Sequence, residues 1–190
     1  MKTFIISLKI FLFFTVLTGV IYPLLITGIA QVVFPGKANG SLIVKKNEII
    51  GSELIGQQFD SAIYFSSRPS AVSYNPLPSG SSNYGLTNVK LKNLVAKRKH
   101  QFIAFNQLDS LNVVPSEMLF ASASGLDPHI SPQAAALQVN RIAKVRNLSS
   151  NQTLQLQQYF RELTETPQFL LLGEPRINVL LLNLKLDEIK

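Results

Sequence analysis

Asp127, Pro128 and His129 form the one place in this chain where a carboxylate stands two residues from an imidazole. In that spacing Asp127 could orient His129 as a general base, with Ser122, Ser124 and Ser131 as nearby hydroxyls. A membrane-anchored hydrolase using Asp127 and His129 is therefore one candidate function. Against it, the Gly-x-Ser-x-Gly pattern of a strained nucleophile turn does not occur. The competing assignment is structural: Asp127 and Ser131 cap backbone groups, and His129 makes one fixed hydrogen bond ahead of a helix. Ser79-Gly80-Ser81-Ser82-Asn83 is a second candidate, a short loop whose amides could face a phosphate. Neither Gly-x-x-x-x-Gly-Lys-Ser/Thr nor Gly-x-Gly-x-x-Gly occurs, and Ser/Gly runs of this kind are ordinarily turns. No metal site is expected, since the only histidines are His100 and His129 and the carboxylates are scattered. The chain has no cysteine, which excludes disulfides, thiolate catalysis and zinc-thiolate sites. The formal charge is +7, but its one cluster is Lys97-Arg98-Lys99 with Lys90 and Lys92 before it. That is too dispersed for a nucleic-acid surface, and no nucleic-acid partner is expected.

The elements that would position these residues start at a membrane. Residues 10–34 hold no charge, and about 20 apolar residues cross a hydrocarbon core of about 30 Å. A cleavable leader ending near Gly28 or Ala30 would have a much shorter apolar run. The organisation expected is a short basic segment (1–9), a transmembrane helix (10–34) and one folded domain (35–190). Lys2, Lys9 and the terminal amine nearly balance Lys37, Lys45 and Lys46 across the span. Long domains translocate largely regardless of such charges, so the N-terminus is expected in the cytoplasm and the domain outside. Thr15 and Gly19 are small residues four apart, suited to close packing against a partner helix. Pro23 removes a backbone hydrogen bond and should bend the helix.

Beyond the span, residues 41–44 and 48–51 read as a short hairpin. Residues 66–87 are rich in Pro, Gly, Ser and Asn yet keep aromatics and Arg68, which predicts a long, ordered, contact-making loop. Thr87 or Asn88 can cap a helix reaching about Phe105, with Leu91, Leu94, Val95, Phe102 and Phe105 as its core face and Lys97 to Lys99 mostly solvated. A short strand is expected over residues 118–121. Ser131 before Pro132 predicts a second helix start, with Ala136, Val139, Ile142 and Ala143 on its apolar face. Ser149 or Ser150 caps a third helix with Leu156, Tyr159, Phe160 and Leu163 as its stripe, and Pro167 ends it. Residues 170–175 turn the chain into residues 177–184, which fit a strand buried on both faces. The fold class is α+β: one N-terminal transmembrane helix, then a single soluble domain with a small sheet covered by helices.

Four motifs carry a resemblance. They are Tyr64-Phe65-Ser66-Ser67-Arg68-Pro69-Ser70-Ala71; Ser79-Gly80 to Asn83 with Thr87-Asn88; Ser124-Gly125-Leu126-Asp127-Pro128-His129-Ile130-Ser131-Pro132; and Gly173-Glu174-Pro175-Arg176-Ile177-Asn178-Val179 with Asn183-Leu184. Their order and spacing resemble the C subunit of the Kdp high-affinity potassium-transporting ATPase, from the anchor to about Asp187. The chain departs from that family at Ser81, Leu86 and Ala123, and the first departure weakens the phosphate-cradle reading. The resemblance implies an accessory, non-catalytic subunit in the inner membrane, beside a channel-like potassium-binding subunit and an ATP-hydrolysing P-type subunit. It implies a catalytic chaperone that assembles or stabilises the complex and raises the ATP affinity of the P-type subunit. The motif residues Arg68, Pro69, Ser79, Gly80, Asn83, Thr87, Asn88, Gly125, Asp127, Pro128, His129, Glu174, Arg176 and Asn178 are then interaction residues, with no catalytic or metal-binding residue in the chain. No bound cofactor is expected. ATP stays a candidate ligand, but a domain outside the membrane cannot reach cytoplasmic ATP. Its influence would then pass through the span, where Thr15, Gly19 and Pro23 are the packing points.

Overall fold

The computed structural model of the chain describes residues 1–169 and 171–189. Leu170, the first residue of the expected turn at 170–175, lies outside the described residues. Contacts divide the chain into two compact units, Met1–Ser52 and Glu53–Lys190. The class is α+β, with seven helices and two small antiparallel sheets among the described residues.

In the first unit, α1 (Lys2–Val16), a π-turn (Leu17–Ile21) and α2 (Tyr22–Val33) form one continuous apolar helix of 32 residues. At 1.5 Å per residue that is roughly 48 Å, long enough to cross a bilayer. The expected disturbance at Pro23 takes the form of the π-turn. The amide of Tyr22 reaches back five residues to the carbonyl of Leu17, and Pro23 then stands in the first turn of α2. The wider turn accommodates the ring that an uninterrupted α-helix would clash with. Thr15 and Thr18 satisfy their own hydroxyls on the carbonyls of Phe11 (2.8 Å) and Phe14 (2.7 Å). After the short helix α3 (Pro35–Ala38), β1 (Leu42–Lys45) and β2 (Glu48–Ser52) make the expected hairpin. Its two turn residues, Lys46 and Asn47, have φ of 52° and 67°, as a two-residue turn matched to the strand twist requires.

The second unit opens with residues 53–88, which contain no helix or strand. Asn88 then caps α4 (Val89–Asn106) by accepting the Lys90 amide at 2.8 Å. The core face of α4 is narrower than expected. Phe102 is buried and Leu91, Leu94 and Val95 are half-buried, but Phe105 is 38% exposed and Asn106 is buried in its place. Lys97 and Lys99 are solvated, whereas Arg98 folds inward to the Leu119 carbonyl.

The strand expected over 118–121 is not formed. The chain makes a 3-10 turn at Ser116–Met118, and the amides of Leu119 and Phe120 both bond back to the Ser116 carbonyl at 2.9 Å. Those local bonds use the donors a ladder would need.

β3 (His129–Ile130) leads into α5 (Pro132–Val145), capped by Ser131 as expected. Its buried face is Ala134, Ala135, Gln138, Arg141 and Ile142; of the expected face Ile142 is buried and Val139 packs against the core, while Ala136 is exposed. α6 (Ser150–Leu163) starts at a capping box on Ser149 and Gln152 and packs through Leu156, Phe160 and Leu163. β4 (Thr164–Glu165) and β5 (Arg176–Asn178) follow, and β5 lies between β3 and β4, antiparallel to both.

The expected strand over 177–184 is corrected: only its first residues are extended, and α7 (Val179–Leu186) takes over. The Asn178 side chain accepts the Leu181 amide at 3.2 Å and so starts a helix. A Leu-rich run buried on nearly every side suits a short core helix as well as a strand. Leu182 and Leu186 join Phe65, Ile130, Ile142, Leu156 and Ile177 as the fully buried centre. Each such side chain stabilises the fold by about 1.5–3 kcal/mol.

Candidate functional site

The segment that carries Arg68 has no strand to hold it, yet the amides and carbonyls of Phe65 and Ser66 are all engaged. Asn183 on α7 accepts the Phe65 amide (2.8 Å) and donates to the Phe65 carbonyl (3.0 Å). Gln138 on α5 does the same for Ser66, at 2.7 and 3.3 Å. Two side-chain amides thus stand in for a neighbouring strand, meeting the backbone groups that burial would otherwise leave unpaired. The Ser67 hydroxyl adds a bond to the Gln57 carbonyl at 2.8 Å. Arg141, only 2% exposed, completes the clamp. It donates to the carbonyls of Ala62 and Tyr64 and to the side chains of Asn106 (2.9 Å) and Gln138 (3.1 Å), with Phe105 4.4 Å from its charge centre. Burial among neutral acceptors lowers its pKa to about 10.

Three loops cross next to this segment, and two glycines let them approach. The Gly56 amide bonds to the Leu126 carbonyl at 2.7 Å, and a Cβ there would stand 2.7 Å from the Asp127 carbonyl oxygen. Gly125 has φ +71°, and a Cβ on it would meet Val72 at 2.6 Å and the Gly80 carbonyl at 2.9 Å. The Gly80 amide is itself bonded to the Ser124 carbonyl at 2.9 Å, so that donor serves the loop crossing and not a phosphate.

At the crossing, Arg68 Nη1 donates to Asp127 Oδ2 at 2.6 Å. The other oxygen, Oδ1, accepts the His129 amide at 3.0 Å and lies 3.3 Å from His129 Nδ1. Burial pushes the Asp127 carboxyl up, but the ring and amide of His129 and the charge of Arg68 outweigh it and hold the pKa at about 2. His129 Nε2 stands 3.9 Å from Glu165, which Arg176 grips through Nε (2.9 Å) and Nη2 (2.8 Å). Among the described residues no serine hydroxyl is bonded to the His129 ring. Ser124 Oγ accepts the Leu126 amide and Ser131 Oγ the Ala134 amide. Nor do three or more histidine and carboxylate side chains converge there on a cation position.

Of the residues singled out from the sequence, the structure brings together Arg68, Gly80, Gly125, Asp127, Pro128, His129, Arg176 and Asn178. Pro128 is buried and its carbonyl takes the Val179 amide at 2.9 Å. Asn178, paired with His129 across the sheet, also donates to the Glu53 carbonyl at 2.7 Å. Pro69 is half-buried beside Arg68. Ser79, Asn83, Thr87 and Glu174 are exposed and take no part in this cluster, and Asn88 is spent on its helix cap. Thr15, Gly19 and Pro23 lie in the first unit. Sequence reasoning missed Asn106, Gln138 and Arg141. Polar residues at spacing three on the apolar side of α5 were the available sign, since a buried polar face needs distant partners.

A family model described as "K+-transporting ATPase, c chain" matches residues 4–188. The potassium-transporting ATPase KdpC subunit of Leptospira interrogans is 47% identical over 182 residues, 96% of this chain and 92% of that one. The protein of the same description from Herpetosiphon aurantiacus is 49% identical over 187 residues (97% and 95%). The one from Photorhabdus laumondii is 46% identical over 186 residues (96% and 94%).

Proposed function

Because the chain belongs to the family of K+-transporting ATPase c chains, we propose that it is the accessory, non-catalytic subunit of an ATP-driven, high-affinity potassium uptake complex. Its partners on this reading are a channel-like potassium-binding subunit and an ATP-hydrolysing P-type subunit. It assembles or stabilises that complex and acts as a catalytic chaperone, raising the ATP affinity of the P-type subunit. The chain is a single-pass protein of the inner membrane, with its N-terminus in the cytoplasm and its C-terminal domain outside. The effect on ATP is carried through the span, and direct contact of ATP with the domain is the alternative route.

The observation that carries the reading is the engagement of the most enzyme-like residues. Asp127 and His129 are tied to Arg68 and the backbone, an arrangement that fixes a surface and presents no paired nucleophile. The test is co-purification of a tagged chain from its native membrane in mild detergent. Recovery of a channel-like and a P-type subunit is expected, with ATP affinity of the assembly falling when the chain is withheld. Recovery of the chain alone would overturn the proposal.

A further inference from the structure

A cavity of about 760 Å³ opens in the second unit between the Arg68 segment and α4. This is the size of a site for a small organic ligand. Its lining includes the aromatic residues Phe59, Tyr74 and Phe105 and the two arginines Arg68 and Arg98. The two cations are unequal. Arg68 is already matched by Asp127, although its Nε–H is buried with no hydrogen-bond partner. Arg98 gives one N–H to the Leu119 carbonyl at 2.9 Å. Among the described residues no carboxylate lies within ion-pair distance of it. Burial disfavours its charged form, a cost that a bound anion would offset. The one acidic residue on the walls, Asp60, is engaged by Gln58 at 2.7 Å.

We propose that this cavity binds a small organic carboxylate with a flat apolar body, its carboxylate on Arg98 and its body between the aromatic walls. Arg98 suits that head because its planar fork meets a carboxylate with two parallel hydrogen bonds. With Arg68 paired to Asp127, Arg98 is the lining arginine left without a carboxylate partner among the described residues, which suits a single carboxylate and not a polyphosphate. The site is independent of the chain's place in a transport complex.

The test uses the full chain in nanodiscs of zwitterionic lipid, titrated with 2-naphthoate and with neutral 2-naphthamide, empty nanodiscs being subtracted. Saturable one-to-one binding of 2-naphthoate is expected, with the amide weaker by about tenfold, the difference one charged hydrogen-bond pair makes. Arg98→Gln is expected to weaken 2-naphthoate by a similar factor. Ala104→Phe, which fills the cavity from an exposed position of α4, is expected to abolish binding while circular dichroism stays unchanged. Absence of saturable binding up to about 1 mM, or binding that survives Ala104→Phe, would overturn the proposal.

Discussion

Asp127 accepts from Arg68, from the His129 backbone and from the His129 ring, and this makes the loop crossing sensitive to acid. Its carboxyl titrates at about 2 in the fold against 3.8 when unperturbed. The folded value lies below the unfolded one, so the carboxylate stabilises the fold fully above about pH 4. That contribution disappears as the pH falls from about 4 to about 2. Asp127→Asn is expected to cost on the order of 1–2 kcal/mol at neutral pH, after allowance for its partial exposure. The gap from the unsubstituted chain should close towards pH 2. Urea unfolding at the two pH values measures this; equal stability at neutral pH would remove the structural role given to Asp127.

At the scale of elements, the polar clamp on Phe65 and Ser66 makes a separable prediction. Both backbone amides should exchange slowly with deuterated solvent, although neither lies in a strand or helix. Gln138→Met removes the partner of Ser66 and leaves Asn183 in place. Exchange at Ser66 should then rise by about tenfold, the factor that follows from losing one net hydrogen bond, with Phe65 changed less. Equal acceleration at both amides would mean that the two clasps do not act independently. The same elements show what the sequence carried. Asn88, Ser131 and Ser149 marked helix starts because capping is settled within three residues, and the hairpin turn at Lys46-Asn47 is equally local. α7 was misread because Val179 to Leu184 has no period to separate a buried strand from a buried helix. The decisive residue was Asn178, whose side chain caps as well as pairs. The face of α5 is only partly legible, through Val139 and Ile142, because Gln138 and Arg141 are buried to serve a backbone more than 70 residues earlier, a partnership no local pattern displays. The motif residues around Asp127 were legible as a group through family resemblance. Their order in space, from Arg68 through Asp127 and His129 to Glu165 and Arg176, depends on strand pairing that only the fold supplies.

At the scale of the whole molecule, the proposed role in assembly makes a prediction for the first unit. A Cβ added at Gly19 meets nothing within 4 Å in the chain itself, so a bulky residue there disturbs only what packs from outside. Gly19→Leu is expected to leave membrane insertion intact and to reduce recovery of partner subunits in the co-purification several-fold. Unchanged recovery would leave the span a plain anchor. The π-turn that contains Gly19 has a consequence for such neighbours. It puts one extra residue into the helical path, and one residue is about 100° of rotation. The stripe that Lys2–Val16 presents is therefore out of phase with the stripe that Tyr22–Val33 presents. A straight neighbouring helix following one of them would lose contact with the other at mid-span. The single span is, in effect, two short keys cut at different angles on one shaft, each roughly 20 Å long, with Gly19 at the joint between them.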